Sequence, residues 1–218
     1  MSTATLINVI LDQSGSMELK KGDVIGGFNR FLDEQKAQPG ECRLSLVTFN
    51  TEKTVIHAAL PIADVPPLTA ATYAPGGMTA LLDALAEGVR LADKHKQAAE
   101  RVLCLVITDG EENSSRETTL VQAREIIKAR EALGDWTFTY LGISPEKWAD
   151  CGLTRSVQNA ATWDAADPAT SFAAMSYATK QFRGSTAGQT LSFYEGVKQG
   201  PEPKPAPVTP SRWLKPHR

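Results

Sequence analysis

Two nearly continuous apolar runs constrain the fold of this chain more than any other feature. In the runs LINVIL (6–11) and RVLCLVIT (101–108), ten of the fourteen residues are Val, Ile or Leu. A strand without a polar face is expected where helices cover both faces of a parallel sheet. Two further runs, RLSLVTF (43–49) and WTFTYLGI (136–143), predict additional strands of the same sheet.

Helical patterns fill the segments between these strands. Apolar residues at helical spacing predict helices over about 19–37 and 80–97. Ser114 followed by Glu117 has the spacing of a capping box and predicts the start of a third helix. The pair Asp-Pro at 167–168 predicts the start of a last helix.

The connections between these elements define the expected architecture. TVIHAALPI follows the second strand closely, so residues 54–60 are predicted to form an antiparallel edge strand. SVQNAATW (156–163) is a weaker strand candidate. Alternating strands and helices predict an α/β fold in which a mainly parallel sheet lies between helices on both faces, a three-layer α/β/α arrangement.

Length and composition fit one globular domain with a tail. The chain has 218 residues, of which 42% are hydrophobic and 22% charged. We assign residues 1–199 to the domain and predict that residues 200–218, which are rich in proline and carry four basic residues against one acidic residue, form a disordered tail. The net charge of −2 therefore leaves the domain acidic, and no nucleic-acid partner is expected.

The sequence also favours a cytoplasmic protein. It contains no apolar stretch long enough to span a membrane, so no membrane partner is expected. The first basic residue is Lys20 and the first apolar run has only six residues, a pattern that does not fit a secretory signal. The three cysteines have no metal-binding spacing and are expected to be reduced thiols.

Oxygen-bearing side chains follow the predicted core strands. Asp12, Ser14 and Ser16 come directly after the first strand, Asp109 follows the central strand, and Thr79 lies before a helix. Ligands of doubly wound sheets bind beyond the carboxyl ends of the strands. Because this set contains only hard oxygens, it favours Mg²⁺, with Mn²⁺ or Ca²⁺ as alternatives. With two carboxylates, such an ion keeps room for an external anionic oxygen.

This arrangement resembles the metal-ion-dependent adhesion site of von Willebrand factor A domains. The similarity rests on the DxSxS pattern at 12–16, a lone threonine after the glycines of PGG (75–77), and the Asp-Gly pair at 109–110, in this order. It covers roughly residues 4–183 and implies a Rossmann-like, doubly wound sheet. It also implies that the two serines and the threonine ligate the ion directly or through water, while both aspartates often act through water. Met78, between the glycines and the threonine, departs from the common pattern.

The resemblance implies a binding module rather than an enzyme. In that family, an Asp or Glu of a partner protein completes the coordination of the ion, as expected for a metal-dependent adaptor. Intracellular bacterial and phage relatives imply an operon-encoded ATPase or another enzyme as the partner, and the oligomeric state is open. The alternative is a Mg²⁺-dependent phosphohydrolase similar to haloacid dehalogenases, but such enzymes need a second carboxylate where this chain has Ser14.

Local interpretations compete with the metal site. The Asp12–Ser16 segment could simply form a turn that caps the following helix, whereas Thr79 could cap its own helix in addition to ligating the ion. Glu111, Glu112 and Asn113 could form a solvated acidic loop or could tune the choice of partner.

Overall fold

The computed structural model describes residues 4–142, 145–163, 168–186, 190 and 192–195. The predicted tail and Asp167 lie outside these residues. The strands are β1 (Thr5–Asp12), β2 (Cys42–Phe49), β3 (Lys53–Pro61), β4 (Arg101–Thr108), β5 (Trp136–Gly142) and β6 (Ala160–Thr162). The α-helices are α1 (Lys21–Lys36), α2 (Leu81–His95), α3 (Leu120–Glu131), α4 (Pro145–Asp150) and α5 (Pro168–Gly184). Short 3-10 turns occupy Gly15–Lys20, Ile62–Asp64 and Val157–Asn159.

The described strands form one sheet in the order β3-β2-β1-β4-β5-β6. β1 lies in the middle and pairs in parallel with both β2 and β4, while β3 pairs antiparallel with β2 at the edge. The predicted fold class, with its antiparallel edge strand, is confirmed. The carboxyl ends of β1 and β4 therefore meet at the same edge of the sheet.

The sheet separates two apolar cores, which explains why β1 has no polar face. Ile7, Val9 and Leu11 pack in the core formed with α1 and α5. The alternate residues Leu6 and Ile10 pack in the core formed with α2 and α3. Since successive side chains of a strand point to opposite faces, a strand between two helical layers buries nearly all of its side chains. The one polar residue within the apolar run of β1, Asn8, is buried and donates to the Gly88 carbonyl of α2 at 3.0 Å.

The predicted third helix begins later than expected. The capping box assigned to Ser114 and Glu117 is wrong, because α3 starts at Leu120 with a capping box of Thr119 and Gln122. The spacing rule is the same, shifted by five residues along the chain.

Two carboxylates hold the segment before α3 in a non-helical loop. Asp83 of α2 accepts hydrogen bonds from the backbone N–H groups of residues 116–118, with the shortest contacts to each at 2.7–3.0 Å. Glu112 accepts from the N–H groups of residues 114 and 115, at 2.9 and 2.7 Å. Burial alone would raise the pKa of Asp83, but the N–H donors of residues 116–118 lower this pKa below its ordinary value. Helix α3 therefore does not begin at Ser114, because Asp83 and Glu112 bind the N–H groups of residues 114–118 in a loop conformation.

Two adjacent glycines of α1 provide a matched stability test. A Cβ at Gly27 would lie 2.1 Å from Cδ2 of Phe172 in α5, whereas a Cβ at Gly26 would meet no atom within 4 Å. We expect Gly26→Ala to raise the free energy of unfolding by up to about 1 kcal/mol through helix propensity. We expect Gly27→Ala to lower it by about 1–3 kcal/mol through overpacking. Urea unfolding measures both values, and shifts of the same sign would contradict this helix contact.

Within the described ranges, no helix combines the length and the apolar character needed to cross a bilayer. Cys42 and Cys104 are buried free thiols, and Cys151 is an exposed free thiol.

Candidate metal centre

The predicted ligands come from three separate segments that meet at the carboxyl edge of the sheet. Asp12 is the last residue of β1, and Asp109 directly follows the neighbouring strand β4. Thr79 lies just before α2. The topology therefore brings together residues that are far apart in the sequence.

Hydrogen bonds between side chains join three of the five predicted ligands. The hydroxyl oxygens of Ser14 and Ser16 lie 3.0 Å apart, within hydrogen-bonding distance. Ser16 Oγ donates to Oδ1 of Asp109 at 2.7 Å. The two serines thus link the first segment to the loop after β4.

Gly110 shows that the other two ligands face the same space. A Cβ at Gly110 would lie 3.1 Å from Oγ1 of Thr79 and 3.5 Å from Oδ2 of Asp12. A side chain at this position would crowd both oxygens, so the glycine keeps the space between the three segments open. All five predicted side chains therefore converge.

Asp12 is fully buried and fixed on every side. Its Oδ1 accepts from the backbone N–H of Ser14 at 2.6 Å, and its Oδ2 accepts from the Thr108 hydroxyl at 2.5 Å. Tyr73 donates its hydroxyl to the Asp12 carbonyl at 2.7 Å. Burial raises the pKa of Asp12, and the nearby charge of Asp109 adds to the rise. A cation facing these carboxylates would compensate that cost.

The contact between Asp12 and Ser14 tests the interpretation that the Asp12–Ser16 segment forms a turn that caps the following helix. An aspartate that accepts from the N–H two residues on forms an Asx turn. However, Ser14 precedes the Gly15–Lys20 turn without making a side-chain capping bond. The backbone is shaped by a local turn, while the serine hydroxyls point to the shared centre.

Backbone hydrogen bonds hold the loop that contains Gly76 and Gly77 against the Asp12–Ser16 segment. Gly76 N–H donates to the carbonyl of Gln13 at 2.8 Å, and Gly15 N–H donates to the carbonyl of Gly77 at 3.1 Å. Gly77 has a φ of 78°, a left-handed conformation that favours glycine. The two segments are therefore joined by reciprocal backbone hydrogen bonds.

Asn113 presents Thr79 to the centre. Its Oδ1 accepts from Thr79 N–H at 2.9 Å, and its own N–H donates to the Thr79 carbonyl at 3.1 Å. The extra residue Met78 has 51% of its surface exposed, whereas Thr79 is buried. The residue at the N-cap position of α2 is Ala80, which has no capping side chain, so the additional role of Thr79 as the cap of this helix is wrong.

The residues after Asp109 divide into structural and exposed members. Glu112 accepts from the N–H of Leu82 at the start of α2 at 2.9 Å, and Asn113 holds Thr79, so both stabilise the centre. Glu111 is exposed and forms an ion pair with Lys147, which lowers the pKa of Glu111. Of these three residues, Glu111 is the one that combines a charge with an exposed side chain.

Lys20 is the group that the sequence interpretation missed. Its ammonium donates to Oδ2 of Asp109, while Ser16 donates to the other oxygen of the same carboxylate. Lys20 is the last residue of the 3-10 turn that contains Ser16 and directly follows Ser14, and that position is the only sequence signal for the contact.

Comparisons with known proteins identify the fold. No protein-family model matches the sequence, and no curated protein matches it. Among solved structures, the vWF domain of the type V pili tip protein Mfa5 from Porphyromonas gingivalis aligns with a TM-score of 0.63 and 11% identity. The alignment covers 84% of this chain and 97% of that domain. The chain has the von Willebrand factor A fold.

Two further structures with this fold match the chain. A von Willebrand factor type A structure from Catenulispora acidiphila has a TM-score of 0.57 and 20% identity, over 82% of this chain and 43% of that one. The manganese-loaded TRAP protein of Plasmodium vivax has a TM-score of 0.56 and 16% identity, over 78% of this chain and 72% of that one. The chain thus spans less than half of the Catenulispora structure.

The donor set of this von Willebrand factor A fold suits a hard divalent cation. The described part of the chain contains no cluster of three or more His, Cys, Asp or Glu side chains arranged to hold a metal. A cation at this edge would therefore depend on hydroxyl oxygens beside the two carboxylates, and oxygen-only sets are typical of Mg²⁺, Mn²⁺ and Ca²⁺ sites.

A cavity of about 340 Å³ adjoins this edge of the von Willebrand factor A fold. It shares Gly110 with the centre and lies between α2, the loop after β4 and α4. Most of its lining is apolar, and Glu111 and Lys147 form an ion pair among the lining residues. Its apolar lining residues include Leu81, Leu82, Leu120, Trp148 and Leu153.

Proposed function

We propose that this chain is a metal-dependent protein-binding module in which a divalent cation captures an acidic side chain of a partner protein. The ligands in this proposal are Asp12, Ser14, Ser16, Thr79 and Asp109. The observation that carries it is the convergence of these five oxygen-bearing side chains at the carboxyl edge of the sheet. The manganese-loaded state of the Plasmodium vivax TRAP structure, which shares the fold, supports a divalent ion here.

The charges of the proposed ligands suit the capture of an anion. Asp12 and Asp109 bring two negative charges, whereas the three hydroxyl groups bring none. When bound, Mg²⁺ would supply positive charge and a coordination position for an outside carboxylate. Asp12 is held by Ser14 and Thr108, so the chain positions its donors before any partner arrives.

The same contacts argue against a phosphohydrolase. A nucleophilic Asp12 would need an accessible oxygen, but the residue is fully buried and both oxygens accept hydrogen bonds. A second carboxylate is missing two residues later, where Ser14 stands. We therefore propose binding without turnover.

The cavity beside the centre supports a protein partner over a simple anion. Because the cavity shares Gly110 with the centre, a chain segment that offers a carboxylate could also place an apolar side chain there. Leu82, Leu120 and Trp148 would pack against such a side chain.

An affinity capture experiment with Thr79→Val tests this function. Valine keeps the shape and the backbone N–H that Asn113 binds, and removes only the hydroxyl. We expect the wild-type chain, immobilised in Mg²⁺, to retain a partner that EDTA elutes, and the variant to retain at least about tenfold less, a loss of about 1.4 kcal/mol. Retention of the same proteins by the variant in Mg²⁺, or by the wild type in EDTA, would refute the proposal.

A further inference from the structure

The ion pair between Lys20 and Asp109 places a cation of the chain itself at the proposed metal centre. The side chains are 23% and 7% exposed, so water screens the pair only in part. The two oxygens of Asp109 are divided between the Lys20 ammonium and the Ser16 hydroxyl. Lys20 lies at the end of the turn that contains Ser16 and directly follows Ser14.

The ion pair between Lys20 and Asp109 changes the net charge that a divalent ion would meet at the centre. Asp12 and Asp109 together carry two negative charges, and the Lys20 ammonium cancels one of them. A divalent ion that approaches the centre meets a weaker attraction and a repulsion from the ammonium. Without such an ion, the ammonium keeps the two carboxylates from facing each other uncompensated.

We propose that Lys20 is a built-in competitor of the divalent ion, which lowers the metal affinity of the centre and stabilises it when no metal is bound. This inference rests on the proposed function, since it concerns the same centre. It predicts that the centre loads only at relatively high divalent-ion concentration, so that partner capture responds to that concentration.

The opposite role predicts the opposite sign. If Lys20 served only to orient Asp109 as a ligand, its removal would weaken metal binding. If Lys20 competes with the ion, its removal strengthens binding. The direction of the change therefore separates the two roles.

Calorimetric titration with Mn²⁺ tests the proposal on the full chain. We expect Lys20→Gln to bind Mn²⁺ about tenfold more tightly than the wild type, because the competing charge is gone. Lys20→Arg keeps the charge and should stay close to the wild type. Lys21→Gln removes the same charge from the next residue along the chain and should change the affinity less than about twofold.

Thermal unfolding gives a second readout without any partner. In EDTA, Lys20→Gln should unfold at a lower temperature than the wild type, and Mn²⁺ should raise its unfolding temperature by more. Equal or weaker Mn²⁺ binding by Lys20→Gln would overturn the competitor role and leave the metal centre standing. Absence of Mn²⁺ binding in both the wild type and Lys20→Gln would overturn this inference together with the proposed function.

Discussion

Asp109→Asn is expected to abolish divalent-cation binding while the fold persists. The amide keeps the shape of the side chain and an oxygen for the Ser16 hydroxyl, but removes one of the two negative charges of the centre. We expect the affinity to fall by about 100-fold or more, since even residues that only support metal ligands contribute 10–100-fold. The lost pair with Lys20 should lower the free energy of unfolding, and the loss of the repulsion between Asp109 and Asp12 should offset part of that decrease.

The measurement is Mn²⁺ titration together with thermal unfolding in EDTA. Glu111→Gln is the matched control, because it removes the same charge two residues further along the loop. Glu111 is exposed and pairs with Lys147 outside the set of proposed ligands. If Asp109→Asn and Glu111→Gln bind Mn²⁺ equally well, the five side chains do not form a metal centre.

The sheet and the place of the candidate site could be predicted because both depend on strongly patterned segments. The apolar runs of β1 and β4 are almost free of polar residues, so their strand character and their central position follow from local composition. Once both strands are parallel neighbours, the residues that end them must lie at one edge. This geometric rule brings Asp12 and Asp109 together without any knowledge of side-chain contacts.

The start of α3 and the supports of the site could not be predicted, because distant side chains decide them. Ser114 and Glu117 have the spacing of a capping box, yet the N–H groups of residues 116–118 donate to Asp83 in α2. The roles of Tyr73 and Asn113 also depend on packing, since each binds the backbone of a residue far away in the sequence. Neither residue type gives a signal for these contacts by itself.

The packing around individual glycines could not be predicted from the sequence either. In α1, Gly26 and Gly27 weaken the helical pattern equally, and only the ring of Phe172 distinguishes them. Gly142 ends an apolar strand without any visible sequence reason. In the structure it pairs with Thr108 of β4, whose hydroxyl holds Asp12. The packing of β5 on β4 is thereby connected to the candidate centre.

Gly142→Ala is therefore expected to damage stability and the centre together. A Cβ at this position would lie 1.7 Å from the carbonyl oxygen of Thr108, a backbone atom that cannot turn away as a side chain can. We expect the free energy of unfolding to fall by about 3 kcal/mol or more, at the upper end of overpacking effects. Displacement of Thr108 should also weaken Mn²⁺ binding, because the hydroxyl that orients Asp12 moves with its backbone.

Urea unfolding and Mn²⁺ titration of the same variant separate these two effects. Gly184→Ala, at the end of α5, is the control, since a Cβ there meets no atom within 4 Å and should change the free energy of unfolding by less than about 1 kcal/mol. A Gly142→Ala protein that is stable but binds Mn²⁺ weakly would show that β4 shifts as a whole to make room for the added Cβ and carries Thr108 with it. A variant equal to the wild type in both measurements would mean that β5 does not approach β4 this closely and that Thr108 is not held in place for Asp12 by this strand pair.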